Sequence, residues 1–109
     1  MSEELQTLLK QLRQDLSELY GTRLDRLILF GSQARGTATE NSDIDVLIIL
    51  KGQVNPGEEI KRTGHLISDL SLECDRVISR LFMDTEKFSK ANTPLLLNVR
   101  KEGITFLSR

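Results

Sequence analysis

Two aspartates carry the strongest chemical signal in the chain. Asp43 and Asp45 flank Ile44 at the head of the apolar run Ile44–Leu50. On an extended strand, residues two apart project from one face, about 7 Å apart along the chain. Asp45 is the odder of the two, because it sits inside Ile44-Asp45-Val46-Leu47-Ile48-Ile49-Leu50. An unpaired carboxylate buried there costs on the order of several kcal/mol, and two like charges on one face also repel. A hard cation removes both problems, and Mg²⁺ favours a few carboxylates together with water and phosphate oxygens. Taken alone the pair has plainer readings: Asp43 as a strand-entry residue after Asn41-Ser42, and Asp45 as a solvent-facing residue at a strand end.

A second feature lies upstream. Leu27-Ile28-Leu29-Phe30 is a short, continuous apolar run that reads as a buried strand, and Gly31-Ser32 follows it directly. Gln33-Ala34-Arg35 can turn as a short helix before Gly36. A strand–Gly–Ser–helix junction offers backbone N–H groups and a hydroxyl to an anion, and the glycine permits close approach. Gly31 and Gly36 have Walker A spacing, but Thr37 stands where that motif needs lysine. A phosphate cradle beside a metal-binding acid pair is what phosphoryl and nucleotidyl transfer require.

The rest of the sequence must supply the frame for these groups. Leu5, Leu8, Leu9, Leu12, Leu16 and Leu19 recur at helical spacing after Ser2, a cap residue, and before Gly21. Residues 31–42 form a polar, small-residue connection between the first two strands. Asn55-Pro56-Gly57-Glu58 marks a helix start, with Ile60, Ile67 and Leu70 expected on its buried side. A third strand is expected over Asp75–Met83, with Val77, Leu81 and Met83 on one face and Ile78 and Phe82 on the other. Asp84 is positioned to cap a short helix through Phe88. Pro94 opens a last helix through Glu102, which Gly103 stops before a short strand, Ile104–Leu107. The order α-β-β-α-β-α-α-β predicts an α/β (α+β) single domain over residues 1–109, a mixed sheet with helices packed on it.

Composition narrows the possibilities. The 109 residues carry 15 basic and 16 acidic side chains, a formal charge of −1, which argues against a surface built mainly to grip nucleic acid. Cys74 is the only cysteine, so neither an internal disulfide nor a Cys-based zinc site can form. The charged first twenty residues are unlike a secretory signal, and no apolar run approaches the ~20 residues of a membrane span. A cytoplasmic location is expected. His65, the one histidine, has no ligand partner at helical spacing, and Cys74 lacks a basic activator. Lys87, Lys90, Arg100 and Lys101 read as solvated charges.

The stretch Leu29-Phe30-Gly31-Ser32-Gln33-Ala34-Arg35-Gly36, ten residues between Ser32 and Asp43, and Ser42-Asp43-Ile44-Asp45-Val46-Leu47 together resemble the signature of the DNA polymerase β-like nucleotidyltransferases. The pattern is most similar to their minimal single-domain group, the MNT proteins. The motif covers residues 27–50, and the remaining element order is compatible with the family's fold.

That resemblance implies a mechanism. Asp43 and Asp45 would hold two Mg²⁺ ions against the triphosphate of ATP, and Gly31 and Ser32 would bind its β- and γ-phosphates. It also implies a third carboxylate on a neighbouring strand, for which Asp75 is the candidate and Glu73 the alternative. Arg35 would contact phosphate or partner, or else brace the loop by bridging to a nearby acid. Stand-alone MNT proteins resemble the antitoxins of HEPN/MNT toxin–antitoxin pairs, so the implied acceptor is a hydroxyl on a HEPN-type RNase toxin, which becomes AMPylated. Two other readings stay open: an antitoxin that neutralises by binding alone, and a transferase subunit acting on a small molecule such as an aminoglycoside.

Overall fold

The computed structural model describes residues 1–39 and 41–108; Glu40, within the expected connection 31–42, and Arg109 lie outside the described residues. The chain begins with α1 (Glu3–Tyr20), whose first turn is capped by Ser2 Oγ accepting from the Leu5 amide at 3.1 Å. Leu5, Leu8, Leu9, Leu12 and Leu16 are buried as their spacing predicts. The expected sixth member differs. Leu19 is 40% exposed, and Tyr20 turns inward instead. A leucine at position 19 has no polar tip to satisfy, whereas the phenol of Tyr20 has a buried partner: its hydroxyl donates to Glu59 Oε1 at 2.8 Å.

A single 3-10 turn, Gly21–Arg23, leads into β1 (Leu24–Phe30). Then come α2 (Gly31–Arg35), β2 (Ile44–Leu50), α3 (Pro56–Cys74), β3 (Ile78–Asp84), α4 (Thr85–Lys90), α5 (Pro94–Glu102) and β4 (Ile104–Ser108). The caps anticipated at Asn55 and Asp84 are present, and Pro94 occupies the first turn of α5 with Thr93 capping it.

The four strands form one mixed sheet in the order β3-β2-β1-β4. β1 runs antiparallel to both β2 and β4, while β2 and β3 are parallel. Connecting two adjacent parallel strands requires a crossover, and α3 is that crossover. Helices cover both faces. Leu27, Leu29, Val46 and Ile48 pack with the α1 leucines and with Ile67 and Leu70 of α3. On the other side Ile28, Leu47 and Ile49 pack with Phe88, Leu96 and Val99 of α4 and α5. Covering on both faces explains why β1 and β2 read as continuous apolar runs rather than alternating ones.

Two expectations for the second half of the chain need correction. Ile60 is 46% exposed, and the buried face of α3 carries Glu59 and Thr63 beside Ile67 and Leu70. The cause is Arg80, which donates from Nε to Thr63 Oγ1 and from Nη2 to the Ile60 carbonyl, both at 2.8 Å. A guanidinium needs oxygen partners, so polar groups occupy that part of the helix. The third strand starts later than expected. α3 continues through Glu73 and Cys74, Asp75 caps its C-terminus with φ 53°, and β3 begins only at Ile78. An Asx side chain tolerates the left-handed conformation better than most, which explains how the helix ends on an aspartate. Among the described residues no helix is long and apolar enough to cross a membrane.

Candidate active site

The sheet brings the two halves of the motif together at one end. β1 ends where β2 begins: Phe30 is the register partner of Asp45. The chain leaves the sheet at Gly31, makes the short helix α2, and returns at Asp43. Gly36 ends α2 in the left-handed conformation, with φ 76°. The return loop is tied at several points. Thr39 N–H donates to Ser42 Oγ at 2.9 Å, and Gln33 Nε2 on α2 donates to the Ser42 carbonyl at 3.4 Å. Ile44 N–H then donates to the Val77 carbonyl at 2.9 Å, locking the acid-bearing segment onto β3.

Gly31 has φ +73°, a conformation that disfavours any side chain. Its open side is filled by Asp45, for a Cβ placed at Gly31 would collide with Oδ2 of that carboxylate. The glycine is thus required by the acid at least as much as by any ligand. No side chain caps the start of α2, where Phe30 occupies the cap position. Its first N–H groups therefore receive no capping hydrogen bond from the residue that precedes the helix.

Asp45 is half-buried and Asp43 exposed. Burial first, and the neighbouring Asp43 charge second, push the Asp45 carboxyl above the usual carboxylate range; the Arg35 guanidinium acts in the opposite sense. Arg35 also stands 3.7 Å from Glu102 at the end of α5, an exposed pair. It thus lies between one acid of the site and an acid on another helix.

The remaining acidic candidates do not join this group. Asp75 is exposed at the C-terminus of α3 and Glu73 is on that helix, so neither is on a strand beside the pair. Among the described residues no three His, Cys, Asp or Glu side chains gather as a metal site. The pair itself suits a hard cation. It offers oxygen donors only, and the charge that burial and repulsion disfavour on Asp45 is the charge a cation would stabilise. Gly31, Ser32, Arg35, Asp43 and Asp45 are brought together; among the described residues a third acid is not.

Two grooves of about 550 and 560 Å³ lie between α1 and α3; Glu73 lines both, and neither contains Gly31, Ser32, Arg35, Asp43 or Asp45. The chemistry is on an open sheet end instead. His65 is on the surface, 3.7 Å from Asp69. Sequence reasoning missed a role for Arg100, which donates to the carbonyls of Phe88 and Ala91 and stacks 5.5 Å from the Phe88 ring. It ties α5 to α4 behind the site, and the Phe88–Arg100 spacing alone gave no signal of it.

Comparison with known proteins establishes the family. The nucleotidyltransferase domain family matches residues 9–102. Two Methanocaldococcus jannaschii proteins, each provisionally named a protein adenylyltransferase, are similar in sequence. One is 40% identical over 76 residues, covering 70% of this chain and 76% of its own. The other is 38% identical over 96 residues, covering 87% and 90%. In fold, the chain is similar to the crystal structure of a nucleotidyltransferase-like protein from Sulfolobus solfataricus, with a TM-score of 0.65 at 22% identity over 98% of this chain and 86% of that one. It is similar also to a chain of a tri-AMPylated Shewanella oneidensis HEPN toxin in complex with MNT antitoxin, with a TM-score of 0.59 at 18% identity over 95% and 72%. A strand-end glycine and serine, an acid pair returning against them and a sequence match over most of the chain lead to one assignment: this protein belongs to the nucleotidyltransferase domain family.

Proposed function

We propose that the protein transfers AMP from ATP to a hydroxyl on a protein partner, in a reaction that depends on Mg²⁺. The observation that carries this reading is the contact between Asp45 and Gly31. It joins the acid pair to the glycine-serine junction in one site, so that groups suited to a cation and groups suited to phosphate share a wall. The names of the sequence relatives support protein adenylylation as the class of reaction.

Each residue has a task that its placement supports. Asp43 and Asp45 would hold the divalent cation through carboxylate oxygens. When bound, the cation supplies positive charge against the phosphates of the substrate. Ser32 and the first N–H groups of α2 would orient the β- and γ-phosphates, and Arg35 would add charge on the same side. The acceptor hydroxyl attacks the α-phosphorus, a new P–O bond forms, and the bond to the β-phosphate oxygen breaks. Pyrophosphate leaves, and the acceptor proton passes to solvent.

The acceptor must approach from outside. Asp43 is exposed and the site stands at an open sheet end, which suits a macromolecular partner bringing its own hydroxyl. A HEPN-type toxin is the partner we assign, with the protein acting as its antitoxin; the sequence resemblance to MNT proteins supports this. A second reading, neutralisation by binding alone, is favoured by one observation, the lack of a third acid beside the pair among the described residues.

Label transfer separates the two. The protein is mixed with α-labelled ATP, Mg²⁺ and its HEPN-type partner, with the Asp43→Asn, Asp45→Asn double variant as control. Label on the partner that needs both Mg²⁺ and the aspartates establishes the transferase. A stable complex without label establishes the binding antitoxin.

A further inference from the structure

The wall facing Asp45 is set by the parallel ladder between β2 and β3, in which Ser79 is the register partner of Asp45. Side chains opposed in such a ladder point to the same side of the sheet. Packing fixes that side independently. Ile78 and Phe82 lie with Ile44, Val46 and Ile48 in the core beneath α1 and α3, while Met83 lies with Leu47 and Ile49 on the other face. Asp45 alternates with Leu47 and Ile49, and Ser79 with Met83, so the two share the α4/α5 face.

The side chains that β3 presents there are Ser79, Leu81 and Met83, and Val77 precedes them in the same phase. None is charged. Val77 is 61% exposed, so the flank of the site beside Asp43 is apolar and open to solvent. With no third acid gathered at the pair among the described residues, the protein offers a cation two carboxylates and, at the facing position, a hydroxyl.

We infer that Ser79 forms the third wall of the cation site, and that its neutrality makes cation binding conditional on the nucleotide. The inference rests on the metal–nucleotide reading above and extends it. Mg²⁺ surrounds itself with six oxygens, holds its waters firmly and binds well where several donors are anionic. Two carboxylates at a solvent-open sheet end give a weak site. Phosphate oxygens of a bound triphosphate supply the missing negative charge, so cation and nucleotide strengthen each other by the same factor. An acid at position 79 would supply that charge permanently and uncouple the two. Asp75, at the end of α3, would have no part in either.

The test measures binding rather than turnover. Free Mn²⁺ is titrated by electron paramagnetic resonance against the whole chain, with and without a non-hydrolysable ATP analogue. For the wild type, the analogue should tighten Mn²⁺ at least tenfold. Ser79→Asp should tighten Mn²⁺ alone at least tenfold and shrink the gain from the analogue. Asp75→Asn should change neither quantity, while Asp45→Asn should abolish both. If Mn²⁺ binds the wild type equally well without the analogue, or if Asp75→Asn weakens it as Asp45→Asn does, the inference is overturned and the transferase reading stands. If neither Mn²⁺ nor the analogue binds, both are overturned. Where Ser79→Asp does not fold, Ser79→Glu takes its place; a folded acid variant at position 79 that leaves both Mn²⁺ binding and the gain from the analogue at wild-type values also overturns the inference.

Discussion

The carboxylate of Asp45 rests against the α-carbon of Gly31, across the pair formed by the last residue of β1 and the second residue of β2. Fourteen positions apart in sequence, the two residues are interlocked: the glycine has no side chain because the acid occupies its space. Two penalties meet at position 31, a positive φ and a collision, and they are separable by experiment.

Gly31→Ala should destabilise the protein by about 1–3 kcal/mol and reduce nucleotide transfer at least ~100-fold. Adding Asp45→Ala removes the collision but leaves the strained φ. In urea denaturation the double variant should therefore recover part of the lost stability and none of the activity. Simple additivity of the two stability changes would show that the residues do not interlock.

Asp45 also makes a prediction about pH. Its carboxyl is raised in the folded protein by burial and by Asp43, so the native state holds its proton more tightly than the unfolded chain does. Stability then falls as pH rises from the unfolded value, about 3.9, through the folded one. Asp45→Asn should be more stable than wild type near pH 7, with the advantage fading toward pH 3. Mg²⁺ added together with a non-hydrolysable ATP analogue should raise the melting temperature of the wild type more than that of the variant. Thermal melts across pH, with and without Mg²⁺ and the analogue, read out both effects.

Tyr20 and Glu59 form a second interlocked pair, remote from the chemistry. Glu59 is only 3% exposed, accepts the Tyr20 hydroxyl at 2.8 Å and lies 3.3 Å from Arg62. Tyr20→Phe leaves the buried carboxylate short of a donor and should cost about 1–3 kcal/mol, with transfer activity unchanged. Burial, the Glu59 hydrogen bond and the Glu59 charge all raise the phenol above its usual value. Wild-type stability should thus decline as pH rises past about 10, where the unfolded phenol begins to ionise. Tyr20→Phe should lack that component of the alkaline decline.

Arg35 stands between Asp45 and Glu102, and two substitutions distinguish its roles. Glu102→Gln removes the brace and should change stability by less than about 1 kcal/mol, since the pair is exposed. Arg35→Ala removes the charge beside the site and should lower transfer ~10-fold, with Arg35→Lys intermediate. Equal activity losses in Arg35→Ala and Glu102→Gln would mean that the arginine acts only through the brace.

The local rules of capping and apolar run length were legible in the sequence because they depend on neighbours alone. Ser2, Asn55, Asp84 and Pro94 fall at helix starts, and Ile44–Leu50 is a strand as its composition requires. Errors arose where a distant partner decided the outcome. Nothing near Ile60 in sequence shows that Arg80 takes the oxygens of that helix turn. Likewise Asp75-Arg76-Val77 fits either a helix end or a strand, and α3 settles the matter by continuing to Cys74. The acid pair and its glycine were readable as types and spacing. Their contact was not, because it depends on the register of β1 against β2.

That register has a temporal consequence. β1 and β2 are successive and antiparallel, with only α2 and one loop between them, whereas β4 reaches β1 through partners such as Ile28 and Thr105. Closing a short loop costs less entropy than closing a long one, so the hairpin-like unit can order before the C-terminal strand docks. In pulse-labelled hydrogen exchange, amides of β1 and β2 should gain protection ahead of those of β4; simultaneous protection would refute that order. On the ribosome, the same order would let the end of the sheet that carries the acids and the glycine take shape before β4 is available to pair with β1.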